Sequence, residues 1–399
     1  MKILGGALAL LLAAGSPSQA GLPDAAWSTA FPVPLPMLPG VRLPAPPVPS
    51  FAALPPIPVV VFKGLSLKSI QFSRTDRIPV SLVAAIDKTE RTLLLALYDL
   101  RLSEVSDAVL RAKARGVVVR LIYDQSHTKP AEPGAAGGPS AEYQALRDAG
   151  VPTRVLRGGG SFGIMHHKYA VFDGELLMTG SFNWTRAADD KNFENAVFKT
   201  DPALIEGFVR NWDWMWSLEA PTEPKGPPAD RLKPIHFAGG KYPRYAFSPQ
   251  GGVEDLLVDA LGRAKKTIDM AIFSFYSQRV ADALIAAKAR GIVVRVATDA
   301  MQARRSQPML ALSNAGVALR LSAGREGAGV MHHKYALVDG ALLMSGSYNF
   351  SANAELYNFE NDLFTTTPGE VAAFGGEFAV IWAQAHAPAP GELPAPKSL

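Results

Sequence analysis

Two stretches of the chain carry side chains suited to chemistry on an anion: Met165-His166-His167-Lys168-Tyr169-Ala170-Val171-Phe172-Asp173 and Met331-His332-His333-Lys334-Tyr335-Ala336-Leu337-Val338-Asp339. In each, a His and a Lys stand two apart, so on a strand they project from one face and both reach a single anionic ligand. His166 is paired in this way with Lys168, and His332 with Lys334. Past Asp173 and Asp339 come a short turn and a small-polar stretch, Gly180-Ser181 with Asn183 and Gly346-Ser347 with Asn349. Hydroxyl, amide and backbone N–H donors of this kind make a phosphate's shell. A third element, Asn192-Phe193-Glu194-Asn195, recurs as Asn358-Phe359-Glu360-Asn361, its Glu twenty-eight residues past the first His in both copies. A carboxylate at that fixed offset is a natural orienter for an imidazole nitrogen.

One His-x-Lys on a strand is more often an exposed polar edge than a site. The recurrence of the same Asp, Gly-Ser-x-Asn and Glu offsets in two copies reverses that balance. His167 and His333 alternate to the opposite strand face and read as structural. Gly158-Gly159-Gly160 and Gly327-Ala328-Gly329 precede the motifs; a phosphate cradle and a turn needing positive φ explain them equally well.

These residues resemble the phospholipase D superfamily, whose signature H-x-K-x4-D-x6-G-S-x-N both copies match at every position. The flavour is that of Nuc-type endonucleases and cardiolipin hydrolases, which carry one copy per chain and dimerise. The resemblance implies a phosphohistidine mechanism without metal or other cofactor, in which one of His166 and His332 attacks and the other is the general acid. It further implies that Lys168, Lys334, Asn183 and Asn349 bind the phosphate, with the Ser181 and Ser347 hydroxyls beside them, while Glu194 and Glu360 steady the imidazoles. Asp173 and Asp339 complete the catalytic signature and, by the same resemblance, mostly hold the motif loop together.

The elements that must position these groups also come in duplicate. Ala112-Lys113-Ala114-Arg115-Gly116-Val117-Val118-Val119-Arg120 corresponds to Ala287-Lys288-Ala289-Arg290-Gly291-Ile292-Val293-Val294-Arg295, an internal duplication whose first copy carries extra residues placed at 126–140. Within the first half the patterns predict a helix over 78–90, a buried strand over 92–98, and a helix from a capping Ser103 to Arg115. A strand ending at Asp124, a helix over 141–148 and a short strand over 151–156 follow. Paired strands flank a turn at Asp173-Gly174, and an amphipathic helix over 201–217 carries Trp212 and Trp216, read with Trp382 as core. Arg120 is expected on a solvated face. Strands alternating with helices imply an α/β fold: two tandem phospholipase D-like domains, each a mixed sheet flanked by helices, meeting about a pseudo-twofold at a shared active site.

The composition, 48% hydrophobic and 19% charged with a net charge of +4, describes a core-forming protein whose basic excess is too small to argue for nucleic acid. With no cysteine, disulfides, thiolate chemistry and Cys-ligated zinc are excluded. Lys2, the apolar run from Ile3 to Ala14 and Ser18-Gln19-Ala20 read as a signal peptide cleaved before Gly21, so export to the periplasm or beyond is expected. The domain reading is therefore 1–20 signal peptide, 21–66 Pro-rich linker or strap, 67–220 first domain, 221–240 linker, 241–386 second domain and 387–399 a Pro-rich tail expected to fray.

Three functional classes follow: a phospholipase D-type hydrolase of phospholipid headgroups, which this reading favours; an exported Nuc-type endonuclease cleaving DNA or RNA; and a non-catalytic module, which the intact pairs of His, Lys, Asn and Glu disfavour. The expected partner is a phospholipid or nucleic-acid phosphodiester, with no obligate metal and with peripheral membrane contact. Duplication removes the need for a homodimer, so a monomer is expected. An apolar rim would favour lipid and a continuous basic groove nucleic acid.

Overall fold

The computed structural model describes residues 55–128, 138–218 and 232–396, with Gly226 and Ala229 besides. The signal-peptide reading, the proline-dense run up to residue 54 and residues 221–225, 227–228 and 230–231 of the linker lie outside the described residues.

Each half opens on a two-stranded hairpin, Val59–Phe62 with Leu65–Lys68 and Ile235–Phe237 with Gly240–Tyr242. Both hairpins begin inside stretches read from sequence as linker, 21–66 and 221–240, so the repeat starts earlier than expected. Lys63-Gly64 and Ala238-Gly239 take positive φ and reverse the chain between strands too short for their alternation to register.

Two seven-stranded mixed sheets follow. The first runs, in spatial order, Ile70–Phe72, Asn195–Lys199, Leu176–Gly180, Lys168–Phe172, Thr92–Leu97, Val118–Asp124 and Thr153–Leu156. The second repeats it as Tyr245–Ser248, Glu360–Thr365, Leu342–Gly346, Lys334–Val338, Thr267–Ile272, Val293–Asp299 and Ala318–Ser322. The last three strands of each sheet pair in parallel and the others antiparallel. The α/β expectation therefore holds for both halves.

Helices Ile78–Lys88, Ser103–Ala114 and Ala141–Asp148 form where the periodicity places them. Ser103 is not a cap, however. Leu102 occupies that position with no side-chain cap bond, and it is fully buried, so packing has displaced the hydroxyl that a cap would supply. The second repeat keeps the cap, with Ser277 accepting from the Val280 N–H.

These helices cover the outer face of the first sheet, and their counterparts cover the second, giving each half its own apolar core. The inner faces carry helices Pro202–Ser217 and Pro368–Gln384 and share a third core drawn from both halves: Tyr169, Phe208 and Trp212 meet Phe247, Tyr335 and Phe374 there. Trp212 is buried with its indole N–H donating to Leu95 O, and it stacks on Trp216 at 4.7 Å. Arg120 is exposed, as expected, and its guanidinium lies over Trp216 at 5.8 Å.

The described part of the tail does not fray. The Glu392 carboxylate accepts from the Ala389 N–H and meets His386, the Gln307 amide donates to Ala395 O, and Leu393 packs on the second core.

Candidate active site

Lys168 and Lys334 are the first residues of equivalent central strands, and the extended residues before them hold His166 and His332 at the same end of each sheet. Backbone bonds then lace each motif to the Asn-Phe-Glu-Asn run of the other half. The His166 N–H donates to Phe359 O at 3.0 Å, and the His332 N–H to Phe193 O at 3.1 Å.

Since each Glu is the next residue after that Phe, the carboxylates are exchanged. His166 Nδ1 lies 2.8 and 2.9 Å from the two Glu360 oxygens, and His332 Nδ1 lies 2.9 Å from Glu194. Nδ1 engaged by a carboxylate leaves Nε2 of each ring as the nitrogen available for chemistry. The glutamates are themselves braced. Asn192 and Asn358 donate to Glu194 and Glu360 at 3.2 and 3.0 Å. Their Oδ1 atoms accept the N–H of Val330 and of Ile164 across the interface.

Ser181 and Ser347, expected as phosphate donors, belong to this bracing. Both are fully buried; each hydroxyl accepts from the backbone N–H of Asn195 or Asn361 and also bonds Glu194 or Glu360. The asparagines of the same motif differ. Neither Asn183 nor Asn349 has a side-chain partner among the described residues, so their amides are open to a ligand.

Asp173 and Asp339 stand at the far ends of the motif strands. Five residues at about 3.3 Å each put Asp173 roughly 16 Å from Lys168. Its carboxylate accepts the N–H groups of Glu90, Arg91 and Thr92 and pairs with Lys63; that of Asp339 accepts those of Lys265, Lys266 and Thr267. They hold the turn and take no part in the His and Lys cluster.

The lysine ammonium groups each donate to the carbonyl of their own first His at 2.6 Å. Lys168 also lies over the Tyr98 ring and Lys334 over the Phe273 ring, and these rings pack edge-on against His166 and His332. Burial brings Lys168 down to about 7 and Lys334 to about 8, against the attraction of Glu360 and Glu194. Burial likewise holds both imidazoles below the ordinary histidine value, His332 at about 4 and His166 well below, with both lysines acting in the same direction. Glu360 is raised to about 7 by burial, against Lys168. For Glu194 burial is outweighed by His332 and Lys334, which keep it below the usual carboxylate range. Groups from both halves thus act on one another as one cluster.

His167 and His333 are fully buried, and each Nδ1 accepts from the amide of Asn361 or Asn195 of the other half at 2.9 Å, which agrees with a structural role. In the glycine runs Gly160, Gly327 and Gly329 take the positive φ of the turn reading. The Gly159 N–H is spent on Tyr357 O, and a Cβ on Gly158 would lie 2.2 Å from that oxygen; one on Gly329 would lie 2.7 Å from Lys191 O. Sequence reasoning missed Asp124 and Asp299, which accept the N–H of Met165 and Met331 just ahead of the reactive histidines. The available signal was an Asp closing the same buried strand in both copies.

Asp362 marks where the two halves differ. It is buried without a hydrogen-bond partner among the described residues, and burial raises its carboxyl well above the usual range; the first repeat has Ala196 at this position. Burial disfavours its charged form in the folded state, a cost absent below the unfolded value near 4 and growing as pH rises above it. Asp362→Ala is therefore expected to stabilise by about 1–3 kcal/mol, and by more at about pH 8 than at about pH 5. Denaturant midpoints at the two pH values check this, and an equal shift at both would remove the explanation.

A family model described as cardiolipin synthase, PLD-like domain, matches residues 82–216 and again 257–382, more than half of the chain. A mitochondrial cardiolipin hydrolase from Chlamydomonas reinhardtii is 34% identical over 160 residues, 39% of this chain and 65% of that protein. A phospholipase D from Rickettsia conorii is 32% identical over 127 residues, 32% of this chain and 58% of that protein. The chain thus spans under two thirds of the length of either relative. Among solved structures, phosphatidylserine synthase from Haemophilus influenzae shares the fold with a TM-score of 0.60 at 13% identity, over 83% of this chain and 89% of that one.

Proposed function

The chain belongs to the phospholipase D superfamily, with two PLD-like domains in tandem, and on that premise we propose that it is an exported phospholipase D-type hydrolase of phospholipid headgroups acting through a phosphohistidine. The observation that carries the chemistry is the exchange of Glu194 and Glu360, which joins two motifs into one site. The lipid substrate is supported by the cardiolipin hydrolase and phospholipase D relatives. Export rests on the N-terminal pattern, and an uncleaved chain retained in the cytoplasmic fraction would remove that support.

In this reading Lys168, Lys334, Asn183 and Asn349 hold the phosphate oxygens and offset charge as phosphorus gains a fifth ligand. The Nε2 lone pair of one imidazole bonds to phosphorus while the bond to the headgroup oxygen breaks. The second imidazole, which takes up a proton as the anionic phosphodiester binds beside it, gives that proton to the oxygen, and the headgroup leaves as an alcohol. Water then loses a proton to the second imidazole and attacks phosphorus, breaking the P–N bond and releasing phosphatidic acid. The carboxylate on each Nδ1 stabilises the positive charge that its ring acquires.

The test is headgroup release from phosphatidylcholine and cardiolipin vesicles beside nicking of supercoiled DNA, in chelator, with His166→Ala as control. His-dependent nicking without headgroup release would make the protein a nuclease.

The rate should follow a bell against pH. Its acid limb reports loss of the neutral nucleophile and lies below the ordinary histidine value, because burial depresses both rings. In the free enzyme the lysines lose their protons as pH rises through about 7 and about 8, so kcat/KM falls over that interval. Bound phosphate favours the ammonium forms, so the kcat limb lies higher. A kcat/KM that stays level beyond that interval would contradict the assignment of the lysines.

A further inference from the structure

Because the chain is duplicated, each rim of the site serves as a control for the other. The loop 158–163 before the first motif corresponds to 324–329 before the second, and Phe162 falls opposite Ala328. Leu356-Tyr357, just ahead of the Asn-Phe-Glu-Asn run, falls opposite Asp190-Lys191. Phe162 is 83% exposed, Leu356 43% and Tyr357 41%. The helix end bearing Asp190 and Lys191 folds as the one bearing Leu356 and Tyr357 does, so folding does not require the apolar pair there. Solvation opposes it.

The cluster is held rigidly. The Gly159 N–H donates to Tyr357 O at 2.8 Å, the Gly163 N–H to Gly159 O at 3.0 Å, and the Asn353 amide to Phe162 O at 3.3 Å. Gly160 lies under the Tyr357 ring, where an added Cβ would sit 3.3 Å away. Phe162 precedes His166 by four residues and Tyr357 precedes Glu360 by three, at the strand ends that bear the site.

We propose that Phe162, Leu356 and Tyr357 form a docking tip that seats the mouth of the site on a phospholipid bilayer. The proposal rests on the lipid reading above. Three side chains fall far short of the roughly 20–30 residues per side of a stable protein interface. They suit the headgroup boundary of a membrane, where aromatic rings and apolar tips bury a little area beside cations. Arg157, exposed at the base of the loop and bonded to Gly160 O, supplies the complementary charge for an anionic surface.

The full chain carrying His332→Ala, which cannot consume the lipid, is sedimented with vesicles of phosphatidylcholine and phosphatidylglycerol, alone and combined with Phe162→Ala or Phe162→Trp. Phe162→Ala is expected to weaken vesicle binding about 10–100-fold, the worth of burying one phenyl ring, and Phe162→Trp to retain it. With both histidines present, Phe162→Ala should lose turnover of vesicles and keep turnover of a soluble short-chain phosphatidylcholine. Equal vesicle binding with and without Phe162 overturns the docking tip, as does a Phe162-dependent dimer in sedimentation velocity without lipid. Phe162-dependent binding with no hydrolysis of either lipid leaves the tip standing and overturns the lipid-hydrolase reading instead.

Discussion

Alanine at His166 or at His332, one at a time, is expected to cut turnover by at least about a thousandfold, although the unaltered half of the chain retains a complete motif. Two independent sites would leave about half the activity in either variant. The structure argues for one site. His166 rests on a carboxylate 194 residues away in the other half, and His332 on one 138 residues away. Lys168 and Lys334 both lower the proton affinity of His166, so the two motifs share one electrostatic environment. Loss of one imidazole removes either the attacking nitrogen or the proton for the leaving group, and the surviving ring cannot do both in one step. The measurement is kcat on a soluble chromogenic phosphodiester, with circular dichroism to verify folding. Residual activity near half in both variants would restore the two-site picture.

Glu194→Gln is expected to lower kcat by roughly 10²–10⁴, and to do so through the histidine of the opposite half. Glutamine keeps the shape and can still accept from His332 Nδ1–H, but it carries no charge to balance an imidazolium that forms during the reaction. In the folded protein Glu194 stays ionised because His332 and Lys334 outweigh its burial, so its charge is present when it is needed. The Nδ1–H proton resonances of the two couples report the connectivity directly. Glu194→Gln should move the signal that His332→Ala abolishes and leave that of His166 in place; movement of the His166 signal alone would contradict the crossed pairing. The double variant Glu194→Gln with His332→Ala should be no slower than His332→Ala alone, since both act on one couple.

Much of this was legible along the chain. His166 and Lys168 are two apart on a strand, Asp173-Gly174 is a turn by residue type, and the helix over 141–148 announces itself by its spacing; all are local, set by bond geometry and a period. The recurrence of Glu194 and Glu360 at one offset marked them as orienting groups. Other features were misread because their decisive neighbours are distant. Ser181 and Ser347 have the residue type of a phosphate donor, but the structure turns them onto the glutamates. Leu102 could not be told from a poor helix start until its burial was seen. The opening hairpins were hidden by strands only three or four residues long.

The motifs, the duplication and the kind of chemistry were already present in residue types and spacings, because a strand's period and a phosphate's need for cations and donors hold wherever the strand is placed. Which carboxylate meets which imidazole is a different matter. Both pairings satisfy the same local geometry, and the choice is made when the inner faces of the two sheets close on a common apolar layer, bringing Phe193 against Met331 and Phe359 against Met165. Hydrophobic burial is non-directional and acts over the whole interface. It sets the two halves face to face, and only then do the backbone bonds between them carry Glu194 and Glu360 across to the opposite histidines.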